Sequence, residues 1–341
     1  MAKLILKDGT VFEGQSFGYE GNVAGEVVFC TATTAYPETL TDASFAGQIV
    51  VLTYPIIGSY GVPEMSDKIQ VRALLVTDYS KEYSHWSAKE TLGSWLQREK
   101  IPALTGVDTR SLAKHIRENG VMSGRIEFDG EATAPDYDTT AFVPEVSVKE
   151  VVELKAEKPI GKKVILPDCG ARRSIVNALL NRGVDIVRVP WNYDFSGIEA
   201  DGLFLANGPG NPTLCGETVE NIKKYMTTKK PILALCLGHQ LLALAAGGTV
   251  TKLKYGHRSL GQSVRQCGTN RCFITSQNHG WAVDAQSLGK EWEPYFVNLN
   301  DGTNEGLKHT TNPWVSVQFE PEAMENAHDN EFIYDNFVKS L

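Results

Sequence analysis

The fold class is decided by one stretch of sequence, Pro231-Ile232-Leu233-Ala234-Leu235-Cys236-Leu237-Gly238-His239-Gln240. Residues 231–235 form a short apolar run that is typical of a fully buried strand, and residues 240–246 are helix-like. A buried strand that runs directly into a helix is the repeating unit of a parallel α/β sheet. Cys236 therefore stands at the sharp turn between the two, at the N-terminus of the helix.

The same rhythm precedes this stretch. Residues 163–167, 185–189 and 202–206 are further strand-like runs, and residues 174–181 form an amphipathic segment between the first two. Alternating strands and helices predict an α/β fold with a doubly wound, flavodoxin-like parallel sheet. Ligands of such sheets bind beyond the carboxyl ends of the strands, so the residues that follow each strand are the candidates for chemistry.

The N-terminal part of the chain is β-rich. Asp8-Gly9 suits a tight hairpin turn between two short apolar runs. The other expected elements are strands at 26–29 and 48–53 and helices at 87–98 and 109–119. A polar, turn-rich region near residues 130–160 predicts an N-terminal domain over 1–150 and a second domain over 161–341.

Composition excludes several classes of protein. The 341 residues carry a formal net charge of −8, and a nucleic-acid-binding surface needs a basic excess. The start shows no apolar stretch of signal-peptide length, and the apolar run at 241–246 is far too short to span a membrane. Cys267 and Cys272 lack the second pair that a zinc set requires, so no metal site is predicted. A reduced, cytoplasmic setting is expected.

Residues 206–212 follow one predicted strand, and they include Gly208 and Gly210. Two glycines and two prolines here would build a fixed turn whose backbone can approach a ligand closely. An ordinary tight loop would have the same composition. The spacing of the glycines matches neither a dinucleotide-binding nor a phosphate-binding loop.

Two further strand ends carry reactive groups. The start of a helix lowers the pKa of a thiol such as Cys236 and offers free amides to an oxyanion. A lone cysteine is more often structural, but the Leu-Gly-His-Gln that follows this one favours a catalytic role. Residues 316–322 carry Glu320 and Glu322 around Pro321, which would also suit a solvated surface turn.

Taken together, three motifs resemble those of the class I glutamine amidotransferases: Asn207-Gly208-Pro209-Gly210, Cys236-Leu237-Gly238-His239-Gln240 and Gln318-Phe319-Glu320-Pro321-Glu322. Residues 255–258 and 276–283 narrow the resemblance to the small subunit of carbamoyl-phosphate synthase. In the N-terminal half the matching segments are 25–29, 40–42, 46–50, 52–55 and 106–110. The resemblance covers nearly the whole chain.

The resemblance implies a glutaminase. Members of the family hydrolyse L-glutamine to glutamate and ammonia, which passes to a large subunit for carbamoyl phosphate synthesis. ATP and Mg²⁺ would be used by that large subunit, and no cofactor is expected in this chain. The N-terminal domain would dock on the large subunit and complete the glutamine pocket. Whether the product serves pyrimidine or arginine synthesis stays open.

The resemblance also implies roles for individual residues. Cys236 would be the nucleophile that forms a glutamyl thioester, and Glu322 would orient the catalytic histidine. The residues implied to bind glutamine or its oxyanion are Ser44, Gly208, Gly210, Leu237, Gln240, Asn278, Gly280 and Trp281.

Position 320 departs from the family, because Glu320 stands where the catalytic histidine is expected. A carboxylate beside Cys236 should raise the pKa of the thiol instead of lowering it, and it should repel Glu322 unless one of the two holds a proton. Arg172 and Ser174 also differ from the family pattern. Glutaminase activity is therefore expected to be impaired.

Three alternatives follow from this departure. Another histidine could replace the lost one, although His257 and His279 match motif positions of the family and His239 belongs to the helix start. The chain could be a weak or inactive pseudo-glutaminase that supports the large subunit. It could also be a free-standing hydrolase of another γ-glutamyl amide, but such an enzyme has no need of a docking domain.

Overall fold

The structure is a computed structural model that describes residues 2–32, 35–64, 67–130, 132, 137–322 and 329–341. The chain divides into two compact units, Met1–Thr140 and Ala141–Leu341. The domain limits drawn from the sequence, 1–150 and 161–341, stay a prediction. Within the described ranges, no helix has both the length and the apolar character needed to cross a membrane.

Unit 1 is built on a closed β-barrel. Its strands are β1 (Ala2–Leu6), β2 (Val11–Ser16), β3 (Val23–Cys30), β4 (Gln48–Leu52), β5 (Ile56–Ile57), β6 (Ala73–Leu75), β7 (Asp78–Tyr79), β8 (Ala103–Thr105) and β9 (Met122–Glu127). Its helices are α1 (Tyr36–Thr41), α2 (Leu92–Arg98) and α3 (Thr109–Asn119). The barrel follows the order β1-β2-β8-β6-β4-β3-β9 and closes where β9 pairs with β1, while β5 and β7 form a separate pair.

The local predictions for unit 1 hold with one exception. Gly9 adopts a φ of 90° in the hairpin turn between β1 and β2. Helix α3 begins at the Asp108 cap, whose side chain accepts a bond from Ser111 N. The helix expected at 87–98 was predicted too long, because it begins only at Leu92. Thr91 caps it there by accepting a bond from Ser94 N.

Unit 2 contains a ten-stranded sheet. Its strands are β10 (Val152–Leu154), β11 (Lys162–Asp168), β12 (Val184–Pro190), β13 (Gly202–Leu205), β14 (Ile232–Leu235), β15 (Thr249–Gln266), β16 (Cys272–Asp284), β17 (Trp292–Asn298), β18 (Asn304–His309) and β19 (Trp314–Val317). Its helices are α4 (Val143–Val146), α5 (Arg173–Leu180), α6 (Gly216–Met226), α7 (Leu237–Ala245) and α8 (Phe332–Ser340). The sheet order is β10-β12-β11-β13-β14-β19-β18-β17-β15-β16.

The central strands of this sheet are parallel. β12, β11, β13, β14 and β19 pair in that order, which is the 2-1-3-4-5 arrangement of a flavodoxin-like sheet. Antiparallel strands extend the sheet from β18 to β16. The predicted α/β fold with a doubly wound C-terminal sheet is confirmed.

Both faces of the parallel strands are covered. Along β13, Leu203 and Leu205 belong to one apolar cluster, whereas Phe204 between them belongs to the other. The same alternation runs along β14, where Leu233 and Leu235 pack on the side of Phe204. Because helices occupy both faces, polar groups that need access to a ligand collect at the carboxyl ends of the strands.

Candidate active site

The turn between β14 and α7 holds Cys236 in a strained backbone conformation. Its φ is 50° and its ψ is −110°, a combination that a residue with a side chain rarely adopts. The Cys236 amide donates to Val317 O at 2.9 Å, and the amide of Gly238 donates to Ala206 O at 3.0 Å. These bonds to the neighbouring strands fix the turn, so the thiol is aimed by the backbone itself.

The glycine turn after β13 packs against the start of α7. A Cβ on Gly208 would lie 2.3 Å from Cys169 O and 2.6 Å from a methyl carbon of Leu237, so no larger residue fits. Gly210 has a φ of +85°, which glycine adopts without strain. Leu237 is the first residue of α7, where backbone amides have no partner within the helix. The structure thus brings together the residues implied to bind the oxyanion.

Strand β16 supplies the opposite wall. Asn278 O lies 3.6 Å from Cys236 Sγ. The Gln240 side chain donates to Trp281 O and to Gln318 Oε1, both at 3.0 Å. Asn278 therefore contacts the thiol and Gln240 contacts Trp281, with Gly280 between Asn278 and Trp281 in the chain.

Ser44 belongs to unit 1, where it is 5% exposed. Its amide donates to the Asp42 carboxylate at 2.8 Å. The role in glutamine binding that the resemblance implies for Ser44 stays a prediction.

Glu320 follows β19, next to the strand that carries Cys236. It is 2% exposed, and its amide donates to Ser276 O at 3.0 Å. Its carboxylate accepts a hydrogen bond from the guanidinium of Arg172, whose side chain is 16% exposed. The residue at the position of the family's histidine is therefore one half of a buried ion pair. Arg172 thus supplies a counter-charge for Glu320 that was not predicted from the sequence.

Glu322 also has partners of its own. The Tyr334 hydroxyl donates to its carboxylate at 2.6 Å, and the Ser174 hydroxyl lies 3.4 Å from its other oxygen. Burial raises the pKa of the Glu322 carboxyl, and the nearby charge of Arg172 opposes that shift. Glu322 is thus positioned firmly, but by groups other than an imidazole.

The remaining histidines of unit 2 that flank the site have partners elsewhere. His239 Nδ1 lies 2.8 Å from the Ser316 hydroxyl, and burial lowers the pKa of His239 to about 3. His257 and His279 contact each other in a separate polar cluster, described below. A wholly buried, neutral imidazole such as that of His239 is a poor substitute for the missing acid and base.

Two residues that contact Glu320 or Glu322 were not predicted from the sequence as their partners. Arg172 was noticed only as a departure from the family, although it comes directly before α5 and its amide donates to Asn207 at 3.1 Å. Tyr334 gave no signal, because nothing in the amphipathic pattern of α8 distinguishes it from a core residue. The available hint for Arg172 was that a cation departs from the family pattern in the same chain that lacks the expected histidine.

Comparisons with known proteins agree with this geometry. Residues 4–126 match the family described as carbamoyl-phosphate synthase small chain, CPSase domain. Residues 165–340 match the family described as glutamine amidotransferase class-I. The two matches fall within unit 1 and unit 2 respectively.

Three curated proteins illustrate the relatives. Multifunctional protein pyr1-3 of Dictyostelium discoideum is 44% identical over 99% of this chain and 17% of its own length. A carbamoyl phosphate synthase arginine-specific small chain of Aspergillus fumigatus is 42% identical over 100% of this chain and 80% of its own. The mitochondrial carbamoyl-phosphate synthase (ammonia) of Aquarana catesbeiana is 43% identical over 100% of this chain and 24% of its own. The chain thus spans a small part of the multifunctional proteins and most of the fungal small chain.

Proposed function

Because the chain belongs to the carbamoyl-phosphate synthase small-chain family and carries its class I glutamine amidotransferase domain, we propose that it hydrolyses glutamine at Cys236 for a large, ATP-using chain. One observation carries this proposal: a thiol on a strained strand-to-helix turn, with the Gly208 turn on one side and Asn278 on the other. That arrangement leaves the thiol positioned for a carboxamide and amides positioned for its oxygen.

The chemistry proceeds in two halves. The Cys236 sulfur attacks the carboxamide carbon of glutamine, a C–S bond forms, and the amides near Leu237 and Gly210 stabilise the negative oxygen. The C–N bond then breaks, ammonia leaves with a proton, and water hydrolyses the thioester to release glutamate. The helix α7 N-terminus favours the thiolate form of Cys236 throughout.

Proton transfer is the step that Glu320 in place of a histidine would slow. A histidine at position 320 would pair with the thiolate and then protonate the leaving ammonia, whereas a carboxylate held by Arg172 does neither. The proton for ammonia then comes from water. We therefore propose that turnover is lower than a histidine at this position would allow, by roughly 10²–10⁴-fold, the usual contribution of general acid–base catalysis.

A second candidate is a supporting subunit that hydrolyses no glutamine. The buried Arg172–Glu320 pair favours it, because it occupies the acid–base position with a charge-neutral, inert couple. A relative that is named for ammonia is also consistent with a small-chain region whose partner chain uses free ammonia.

The partner and setting belong to the same proposal. Unit 1 would dock on the large chain, which would hold ATP and Mg²⁺, and the complex would work in the cytoplasm. The product would serve arginine or pyrimidine synthesis.

The two candidates are separated by comparing nitrogen sources. The complex with a large chain is assayed for carbamoyl phosphate with glutamine or with ammonium, and glutamate release is measured in parallel. The chains compared are the native one, the Cys236→Ser variant and, as a control, the Cys215→Ser variant. Cys215 is suited to this purpose because burial raises the pKa of its thiol to about 12.

We expect glutamate release that Cys236→Ser reduces to background and Cys215→Ser leaves unchanged, with ammonium-dependent synthesis equal in all three. Equal, background-level glutamate release in all three chains, with ammonium use retained, would exclude hydrolysis at Cys236 and leave the supporting subunit.

A further inference from the structure

A buried polar cluster lies on three antiparallel strands of unit 2, and the proposed hydrolysis does not use it. His257 comes from β15, Gln277 and His279 from β16, and Glu305 from β18. Each of the four is at most 7% exposed. Gln277 and His279 flank Asn278, so the alternation of a strand directs their side chains to the face opposite that of Asn278.

Hydrogen bonds at the far side of each ring define which nitrogens carry a proton. His257 Nε2 lies 2.9 Å from the Asp301 carboxylate, and His279 Nδ1 lies 2.8 Å from the carbonyl of Trp281. Both partners are acceptors, so these two ring nitrogens are the donors. In neutral rings the other two nitrogens, His257 Nδ1 and His279 Nε2, then carry lone pairs, and they face each other at 3.2 Å.

Two oxygens complete the arrangement. Gln277 donates through Nε2 to Thr275 and to Glu305 Oε2, which turns its Oε1 toward the rings, 3.1 Å from each facing nitrogen. Glu305 Oε1 lies 3.3 Å from His257 Nδ1. Asn298 donates from the side, 2.9 Å from the same carboxylate oxygen and 3.4 Å from the His257 nitrogen.

His257 Nδ1, His279 Nε2 and Gln277 Oε1 lie within 3.2 Å of one another, and the acceptor atoms of His257, His279 and Glu305 all lie within 4.8 Å, which is an arrangement that can hold a cation. Ligands around a tetrahedral zinc ion lie about 3.4 Å from one another, given metal–ligand distances near 2.1 Å. The separations that join His257 to His279, Gln277 and Glu305, and His279 to Gln277, are 3.1 to 3.3 Å, which is close to that spacing. A hydrogen bond from a ligating histidine to a carboxylate or a backbone carbonyl, as His257 and His279 make here, is the usual support of such a site.

Charge favours the same conclusion. Glu305 is fully buried, and the Asp301 carboxylate lies on the other side of His257. The Asp301 side chain is 41% exposed, so with neutral imidazoles Glu305 supplies the buried negative charge, which a dication would balance. The carboxylates also raise the pKa of His257, so a proton on that ring is the competing way to supply positive charge.

We propose that His257, His279, Glu305 and Gln277 form a structural site for one divalent cation of the zinc class. The cation would join β15, β16 and β18 behind the wall that carries Asn278, and it would take no part in hydrolysis. Cysteine spacing excluded a thiolate zinc set in the sequence, but these ligands are spread over three strands and have no spacing signature.

The test is the metal content of the full chain, purified without a histidine tag. We expect about one zinc per chain after exhaustive dialysis against a metal-free buffer, and a visible cobalt spectrum of tetrahedral intensity after exchange with Co²⁺. A folded chain that holds less than about a tenth of a zinc, and whose melting temperature and spectrum do not respond to added Zn²⁺ or Co²⁺, would overturn the proposal in favour of a protonated His257.

Variants grade the effect. Glu305→Gln removes a ligand and should abolish stoichiometric zinc, whereas Asp301→Asn keeps the ligands and should weaken zinc binding about 10- to 100-fold. His309→Asn is the control, since His309 contacts Thr311 and Asn312 in a surface turn instead. Equal zinc content in all of these variants would place any bound metal elsewhere. The zinc content of the native chain is measured first, so the proposal is tested even if a variant fails to fold.

Discussion

The two halves of the candidate site differ in how they are built. The thiol half, which comprises Cys236, Leu237 and the Gly208 turn, is held by backbone bonds and by glycines that admit no side chain. The acid–base half, which comprises Glu320, Glu322 and Arg172, also uses the backbone amides of Glu320 and Arg172, but its two carboxylates are held by side chains. The first half keeps the residues that the family resemblance implies, whereas the second carries Glu320 where that resemblance implies a histidine. A geometry made by the backbone resists substitution, whereas a side chain can be exchanged if a neighbour balances its charge.

The largest effect that separates the halves should come from restoring an imidazole. We expect Glu320→His to raise glutamate release about tenfold, and Glu320→His with Arg172→Gln to raise it further, toward 10²-fold. Arg172 would otherwise disfavour the imidazolium beside the thiolate.

Steady-state glutaminase assays of both variants measure this gain, with Glu320→Gln as the control that removes the charge without adding a base. A folded double variant no faster than the control would mean that the acid–base role is filled by another group.

The next effect tests whether the thiol half depends on backbone contact. A Cβ on Gly238 would lie 2.5 Å from Leu205 O and 2.6 Å from Leu205 Cβ, so Gly238→Ala must move a buried strand. We expect the free energy of unfolding to fall by about 1–3 kcal/mol. Gly216→Ala is the matched control, because no atom lies within 4 Å of its added Cβ. Urea denaturation of both variants decides the matter, and equal midpoints would show that the elbow is not tightly packed.

The smallest expected effect concerns His239 and tests whether this residue is a buried packing residue or a substitute base. Burial lowers the pKa of His239 to about 3 in the folded chain. Below about pH 6.5 the histidine is therefore protonated in the unfolded chain but stays neutral in the folded chain. Stability should therefore fall as the pH drops below 6.5, by about 2 kcal/mol at pH 5.

The His239→Asn variant lacks this contribution, and all other acid-sensitive groups are common to the two chains. The denaturation midpoints of the native chain and of the variant are measured near pH 7.5 and near pH 5. The difference between the two midpoints should be smaller at pH 5 than at pH 7.5. Parallel profiles would show that His239 titrates normally and is available as a base.

The thiol half could be predicted from the sequence because the residues that identify it lie close together in the chain. A buried strand, a cysteine and a helix start stand within ten residues, and the alternation of strands and helices predicted a doubly wound parallel sheet. The partner of Glu320 lies 148 positions away, so the sequence marks Arg172 as a departure from the family but does not pair it with Glu320. Closure of the barrel in unit 1 depends likewise on β1 meeting β9 across most of that unit. The start of α2 was missed for a different reason, since the Thr91 cap competes with a helical pattern that begins earlier.

The bond from Tyr334 to Glu322 has a consequence for the order in which the protein is made. Tyr334 lies in α8, which leaves the ribosome about a hundred residues after Cys236, and domains assemble from the N-terminal side during synthesis. Until that helix docks, the Phe204 side of the sheet lacks Phe337 and Glu322 lacks its hydroxyl partner. The Cys236 turn also needs Val317, which lies far along the chain in β19, so both parts of the site are completed late in synthesis and Glu322 is anchored only when α8 docks.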